Sequence, residues 1–182
     1  MISIDPKLSK LGAALKKSIT LPLKPTDVIL YLGASTGTTT AFLSDMVPQG
    51  FIFALELSRK MFLKLFELAS HRQNIGPILA DASFPETYAR EISDVGQVDV
   101  IYQDVSQRHQ VDIFLKNCKR FLKTNGTGIL FVKARSIDVR QEPQQVFLEA
   151  EQRLAQVMKI VQKTTLEPYQ KDHMVFVCCN GP

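Results

Sequence analysis

Within residues 28–40, VILYLGASTGTTT, an apolar run gives way to glycine and small hydroxyl side chains. That change admits one local order: strand, tight turn, helix start. Residues 28–32 have the β-branched and aromatic content of a buried parallel strand, and Gly33 and Gly37 let the backbone take positive φ and approach a ligand closely. Thr38 and Thr39 then open a helix, whose first N–H groups face a carboxylate or phosphate with no bulky side chain in the way. Two glycines after an apolar run also describe a plain turn, so the loop needs a second feature to count as a cofactor cradle.

The next apolar run, residues 51–55, supplies it by ending on Glu56. An acid at the tip of the second strand, about 20 residues past the glycine loop, is placed to accept hydrogen bonds from ribose hydroxyls. The loop reads G-x-x-x-G and lacks the third glycine that packs a dinucleotide helix on its strand, so S-adenosylmethionine is expected rather than NAD. Asp81 and Asp104 also stand where later apolar runs end. A lone aspartate there is usually a helix cap. Three acids at successive strand ends are expected to converge on one crevice, because ligands of open α/β sheets bind outside the carboxyl ends of the strands.

Along the chain, Leu8, Leu11 and Leu15 at helical spacing predict a helix over residues 7–18, stopped by Pro22 and Pro25. Helices are also expected over residues 39–46, 59–70 (capped by Ser58, with Met61, Leu65 and Leu68 facing the core), 111–122 and 142–159. Strands are expected over residues 28–32, 51–55, 78–80, 98–102, 128–133, 161–166 and 174–178, with a turn at Asn125 and Gly126 and a loop over residues 167–173. Alternating strands and helices imply an α/β fold with a mostly parallel seven-stranded sheet. The short link before the last strand implies one antiparallel edge strand.

The 182 residues suffice for one domain with a sizeable core, and 45% hydrophobic with 22% charged residues is ordinary for a globular chain. No run approaches a membrane span and no signal-peptide core is visible, so a cytoplasmic protein is expected. The three cysteines, Cys118, Cys178 and Cys179, have neither metal-ligand nor disulfide-framework spacing. A net charge of +4 mildly favours an anionic partner. The charge is concentrated at Lys7, Lys10, Lys16, Lys17 and Lys24, and again at Lys133, Arg135 and Arg140.

Seven short segments taken together carry a resemblance. They are SKLGAA (9–14), YLGASTGTT (31–39), ALELS (54–58), DAS (81–83), DVSQ (104–107), VKARSID (132–138) and LEPYQKDH (166–173). In this order the chain resembles fibrillarin, the RNA 2′-O-methyltransferase family of guide-RNA particles, in its archaeal form. The resemblance implies a Rossmann-like class I S-adenosylmethionine-dependent methyltransferase fold acting on rRNA or tRNA. It implies cofactor binding by Gly33, Thr38, Thr39, Glu56, Leu57, Asp81, Ala82, Asp104, Val105, Ser106 and Gln107, and a catalytic group of Lys10, Asp104, Lys133 and His173. It also implies a box C/D guide RNA, a Nop-type scaffold protein and a kink-turn-binding protein as partners; a homodimer stays open. Leu57 departs from the family's usual phenylalanine, and DVSQ from the commoner DVAQ. The family's N-terminal β-rich domain is expected to be missing, leaving one methyltransferase domain over residues 1–182 with a helical extension at residues 1–24.

The chemistry fits these residue types. A ribose 2′-hydroxyl has a pKa far above neutral and needs help losing its proton as it attacks a sulfonium methyl; a lysine amine held beside it can bind or deprotonate it. Lys133 is expected in that role, with Asp104 orienting the lysines and Lys10 and His173 steering the hydroxyl and its phosphate. Alignment of nucleophile and donor supplies much of the rate, since no covalent enzyme intermediate is required. Two other readings compete: a methyltransferase for a small molecule or protein, which would need a substrate-covering insertion, and a non-catalytic assembly subunit, which would not need the four catalytic residues.

Overall fold

The computed structural model describes residues 5–181, so the first four residues of the expected N-terminal extension lie outside the described residues. Strand β1 (Val28–Leu32) runs through the middle of a seven-stranded sheet, parallel to β2 (Phe51–Glu56) on one side and β4 (Val98–Gln103) on the other. Beyond β2 lies the edge strand β3 (Ile75–Leu79); beyond β4 come β5 (Leu122–Lys133), β7 (His173–Cys179) and β6 (Lys159–Thr165). The antiparallel strand falls at the expected side of the sheet, one place in, with β7 paired to both β5 and β6. The chain winds outward from β1 to β3 and then crosses back to β4, so the topological switch lies between β1 and β4, the place where ligands of such sheets bind.

Both faces of the sheet are covered, and side-chain alternation assigns the residues. Leu30, Leu32, Phe53, Leu55, Leu130 and Phe176 face α4 (Ala89–Ser93), α5 (Gln110–Phe121) and α7 (Pro143–Ala155). Ile29, Tyr31, Ile52, Tyr102, Phe131 and Val175 face α1 (Lys10–Lys16), α2 (Thr38–Met46) and α3 (Arg59–Ser70). No helix among the described residues is long and apolar enough to cross a membrane.

Several boundaries differ from expectation for identifiable reasons. The first helix starts at Lys10, with Ser9 accepting a hydrogen bond from the Gly12 N–H, and it docks through Leu11, Gly12, Ala13 and Ala14. Of the expected stripe only Leu11 is buried: Leu8 precedes the helix and is exposed, and Leu15 lies outside the Leu11 to Ala14 flank that docks. In α3 only Leu65 of the expected inward stripe is fully buried, and Ser58 occupies the cap position without a side-chain hydrogen bond. Strand β3 begins at Ile75, across a Gly-Pro pair that reads as a turn; an edge strand tolerates Pro77 because one side of it has no neighbour to bond. Strand β5 begins at Leu122, and the expected turn at Asn125 and Gly126 survives as an irregularity in which the segment between Leu122 and Thr127 opposes that between Val98 and Val100. Helix α7 ends at Ala155, earlier than its polar pattern suggests, because pairing with β7 draws Lys159 into β6. His173, expected in a loop, is the first residue of β7 and sits opposite Lys133.

The loop after β3 is held to α5 by one buried amide. Asn117 is fully buried; its Oδ1 accepts from the Tyr88 hydroxyl at 2.5 Å and its Nδ2 donates to the carbonyls of Ala82 and Ile113 at 3.0 and 2.9 Å. Asn117→Ala strands these groups without solvent and is expected to lower stability by roughly 2–3 kcal/mol, read from chemical denaturation.

Candidate active site

The crevice opens where β1 and β4 part. After Leu32 the chain turns at Gly33 with φ +86°, and the N–H groups of Gly33 and Ala34 both donate to the Leu55 carbonyl at 2.9 Å. A Cβ on Gly33 would lie 2.6 Å from the Asp104 carbonyl oxygen and 2.9 Å from the Val105 side chain, so only glycine lets the two loops pass. Gly37, with φ +91°, stands at the start of α2 with no side chain capping the helix, so the first N–H groups of α2 lack a side-chain cap where Thr38 and Thr39 line the crevice. The cavity has a volume of about 530 Å³, in the range of roughly 300–1,000 Å³ usual for cofactor-sized ligands.

Glu56 closes one side. Its Oε2 accepts from the Ser35 N–H at 2.8 Å and its Oε1 from the Ser58 N–H at 2.7 Å. Two backbone donors fix the carboxylate while leaving lone pairs open to a hydroxyl ligand. Leu57 stands beside it, half exposed, and with Ala82 and the Ala80 side of the next loop forms an apolar lip. Asp104, Val105, Ser106 and Gln107 line the opposite wall. Asp81 lies at the rim and is turned onto Ser83, whose N–H it accepts at 2.8 Å. Burial pushes its carboxyl up, but hydrogen bonds from Ser83 and Gln107 outweigh that and hold it below its ordinary range. Glu56 and Asp104 therefore converge on the crevice, while Asp81 braces the loop that carries Ala82.

The floor is Tyr31, buried in edge-to-face contact with Tyr102 at 4.6 Å between ring centroids. Burial raises the Tyr31 phenol far above its usual value, with the Asp104 charge adding to the effect, so the ring stays neutral. Tyr31, Ser35, Thr36 and Leu8 line the crevice although sequence reasoning did not single them out as site residues. Only tertiary packing gives them that role, apart from Ser35, whose place in a G-x-x-x-G loop was a usable signal.

Next to the crevice, four charged or titratable side chains gather. The Lys10 amine, brought in by α1, contacts Asp104 Oδ1 at 2.5 Å. Lys133 and His173 are direct cross-strand partners on β5 and β7, which places both side chains on the sheet face that carries Phe131 and Val175 and is covered by α1. The Lys133 amine has no hydrogen bond or ion pair among the described residues, so Asp104 holds one of the two lysines rather than both. Burial lowers the pKa of His173 below its usual 6.5, and the Lys10 and Lys133 charges lower it further, against the opposing effects of the Lys171 carbonyl hydrogen bond and the Asp104 charge; the imidazole is neutral at pH 7. Its Nδ1 lies 2.6 Å from the Lys171 carbonyl, an acceptor, so the proton is assigned to Nδ1. The buried Nε2, which has no partner among the described residues, is then a free acceptor within the electrostatic reach of Lys10 and Lys133. Arg135 is tied to Asp172 and to the carbonyls of Val139 and Gln141. Arg140, in contrast, is exposed to solvent.

The arrangement suits transfer of a group from an adenosine-type cofactor to an acceptor bound at the ends of β4, β5 and β7. Donor groups match S-adenosylmethionine: uncapped helix N–H groups for a carboxylate, a fixed acid for ribose hydroxyls and an apolar lip for an aromatic base.

The fibrillarin family model matches residues 3–181 of the chain. A fibrillarin-like rRNA/tRNA 2′-O-methyltransferase of Thermococcus onnurineus is 45% identical over 175 residues, which cover 95% of this chain and 76% of that protein. The structure superposes on that of a fibrillarin/Nop5p complex with a TM-score of 0.90 at 43% identity, covering 95% of this chain and 81% of that one. It also superposes on Aeropyrum pernix fibrillarin in complex with natively bound S-adenosyl-L-methionine, with a TM-score of 0.85 at 38% identity over 95% of this chain and 75% of that one. The Rossmann-like methyltransferase fold expected from the sequence is the fold observed, and the chain belongs to the fibrillarin family.

Proposed function

We infer that this chain is an S-adenosylmethionine-dependent RNA ribose 2′-O-methyltransferase acting on rRNA or tRNA. The observation that carries the reading is the meeting of Lys10, Asp104, Lys133 and His173 at the strand ends beside a crevice whose donors suit the cofactor. The family relationship supports it, as does the bound S-adenosyl-L-methionine of the Aeropyrum relative. An enzyme with RNA as its substrate works where that RNA is, which we take to be the cytoplasm.

When bound, S-adenosylmethionine supplies a methyl group on a sulfonium, which forms one bond to the ribose oxygen as its bond to sulfur breaks and the hydroxyl proton leaves. Thr38 and Thr39 at the α2 start would hold the cofactor carboxylate, Glu56 its ribose, and Leu57 and Ala82 would flank its base, with Gly33 and residues 104–107 completing the wall and Asp81 bracing the loop that carries Ala82. Lys133 binds or deprotonates the target hydroxyl as it attacks. Asp104 draws Lys10 to the site entrance, where its amine can hold a neighbouring phosphate. His173 Nε2, which has no protein partner among the described residues, is available to accept from the target hydroxyl and so steer it. Holding the hydroxyl and the methyl in line is the main catalytic contribution.

Base recognition is assigned to partners. The exposed lysines of the N-terminal segment can contact phosphates, which position an RNA without reading its sequence. A Nop-type scaffold, a kink-turn-binding protein and a box C/D guide RNA would select the nucleotide by pairing. The fibrillarin/Nop5p complex of a relative supports the first of these. A single methyltransferase domain over residues 1–182, with residues 1–24 as its helical extension, accommodates this reading.

Three outcomes are expected. Glu56→Ala weakens S-adenosylmethionine binding by roughly 1–3 kcal/mol in calorimetry, and a wild-type chain with no affinity for the cofactor or its demethylated product would falsify the reading. Lys133→Ala keeps cofactor affinity nearly intact while methyl transfer falls at least tenfold, since the amine acts in the transition state. RNA binding by the chain alone is weak and salt-sensitive, and 2′-O-methyl mapping finds site-specific product only with guide RNA and partner proteins. Efficient methylation of one position by the isolated chain would instead identify a stand-alone enzyme.

A further inference from the structure

Strand β4 pairs with β5 as far as Gln103 opposite Leu130, and the Asp104 N–H beyond it donates to the Leu32 carbonyl on the β1 side. The last residues of β5, Phe131 to Lys133, continue past that point with β7 as their only strand neighbour among the described residues. Lys133 thus leaves the sheet with one of its two flanks lacking a strand. A side chain fills that flank. Gln110, fully buried at the start of α5, accepts from the Lys133 N–H through Oε1 at 3.0 Å and donates from Nε2 to the Lys133 carbonyl at 3.2 Å. One primary amide thereby reproduces both hydrogen bonds that an adjacent strand would make.

The same Nε2 also donates to the Gln107 carbonyl at 3.1 Å, and the Gln110 carbonyl accepts from the buried Gln103 amide at 2.6 Å. Gln107 lines the cofactor crevice. Gln110 is therefore bonded at once to the crevice wall and to the backbone that aims Lys133. We propose that Gln110 is a positioning residue, a surrogate strand that couples the cofactor wall to the lysine at the end of β5. The proposal rests on the assignment of Lys133 as the group that handles the ribose hydroxyl. Gln110 touches neither substrate nor cofactor; it acts by fixing where the Lys133 side chain starts and in which direction it leaves the sheet. A shift of about 1 Å in a group that must meet a hydroxyl in line with a methyl donor can cost on the order of a hundredfold in rate.

The test is a double-mutant cycle in the full chain assembled with guide RNA and partner proteins, reading single-turnover methylation of a guide-matched RNA from labelled S-adenosylmethionine. Gln110→Met keeps the volume and removes every side-chain hydrogen bond. A rate loss of at least tenfold is expected in the wild-type background and less than twofold in the Lys133→Ala background, because a residue that acts through Lys133 has nothing left to position. Damage to the fold at large lowers the rate by the same factor in both backgrounds, and that result overturns the proposal, as does a fully active Gln110→Met. If Gln110→Met does not fold, Gln110→Glu takes its place in the cycle: its carboxylate still accepts from the Lys133 N–H but cannot donate to either carbonyl, and the same non-additivity is expected. On the unaltered chain, the Lys133 amide is expected to exchange with solvent as slowly as the β5 amides bonded to β4, and fast exchange overturns the surrogate pairing. A fully active Lys133→Ala removes the underlying assignment, and the proposal with it; a weak Lys133→Ala beside a fully active Gln110→Met removes the proposal alone.

Discussion

The contact between Gly33 and the Asp104 backbone is the constraint on which the site depends. Strands β1 and β4 run side by side to Leu32 and Gln103, and the chain then sends the two loops past each other at a distance that excludes even a methyl group. That approach opens the crevice at the switch point of the sheet and places the Asp104 carboxylate between the cofactor wall and the approaching α1. A larger residue at Gly33 would strain the turn and push the β4 loop outward, moving residues 104–107 together, all four assigned to the cofactor and Asp104 to catalysis as well.

Charge at the site is arranged by burial as much as by pairing. Lys10 and Asp104 neutralise each other at the crevice mouth, while the buried His173 stays neutral with its Nδ1 engaged by the Lys171 carbonyl. Lys133 is left as the amine without a protein partner among the described residues, at the end of β5. An uncompensated amine next to a methyl-donor site is poorly explained by stability, since a pairing partner would serve that better; it is the arrangement expected of a group that awaits a hydroxyl or phosphate.

The relation to fibrillarins covers nearly all of this chain, and the chain spans about three quarters of the length of the Thermococcus relative. Within that relation Leu57 remains an individual feature. It stands half exposed at the lip where the family usually presents an aromatic ring, so the flank it offers a base is apolar but not stacking.

The order of elements, the glycine loop, the acids at the strand tips and the sheet class were legible in the sequence, because each follows from local rules: hydrophobic period, positive φ at glycine and helix-start chemistry. The family motifs added the identities of Lys10, Lys133 and His173. What the sequence could not supply is whatever depends on neighbours distant along the chain. Leu8, Leu11 and Leu15 have the spacing of a buried stripe, yet only Leu11 docks, together with Gly12 to Ala14, because the helix starts after Leu8 and its small residues allow close approach. Pro77 reads as a breaker and is tolerated because β3 is an edge. His173 belongs to a loop by composition and to a strand by its pairing with Lys133. Gln110 carries no local signal at all. Its role exists because β4 ends three residues before β5 does, leaving a strand flank that a buried amide completes. The sequence by itself determined which residues have the chemistry and in what order they come; the tertiary structure decided which of them meet, since meeting depends on where each strand ends relative to its neighbour.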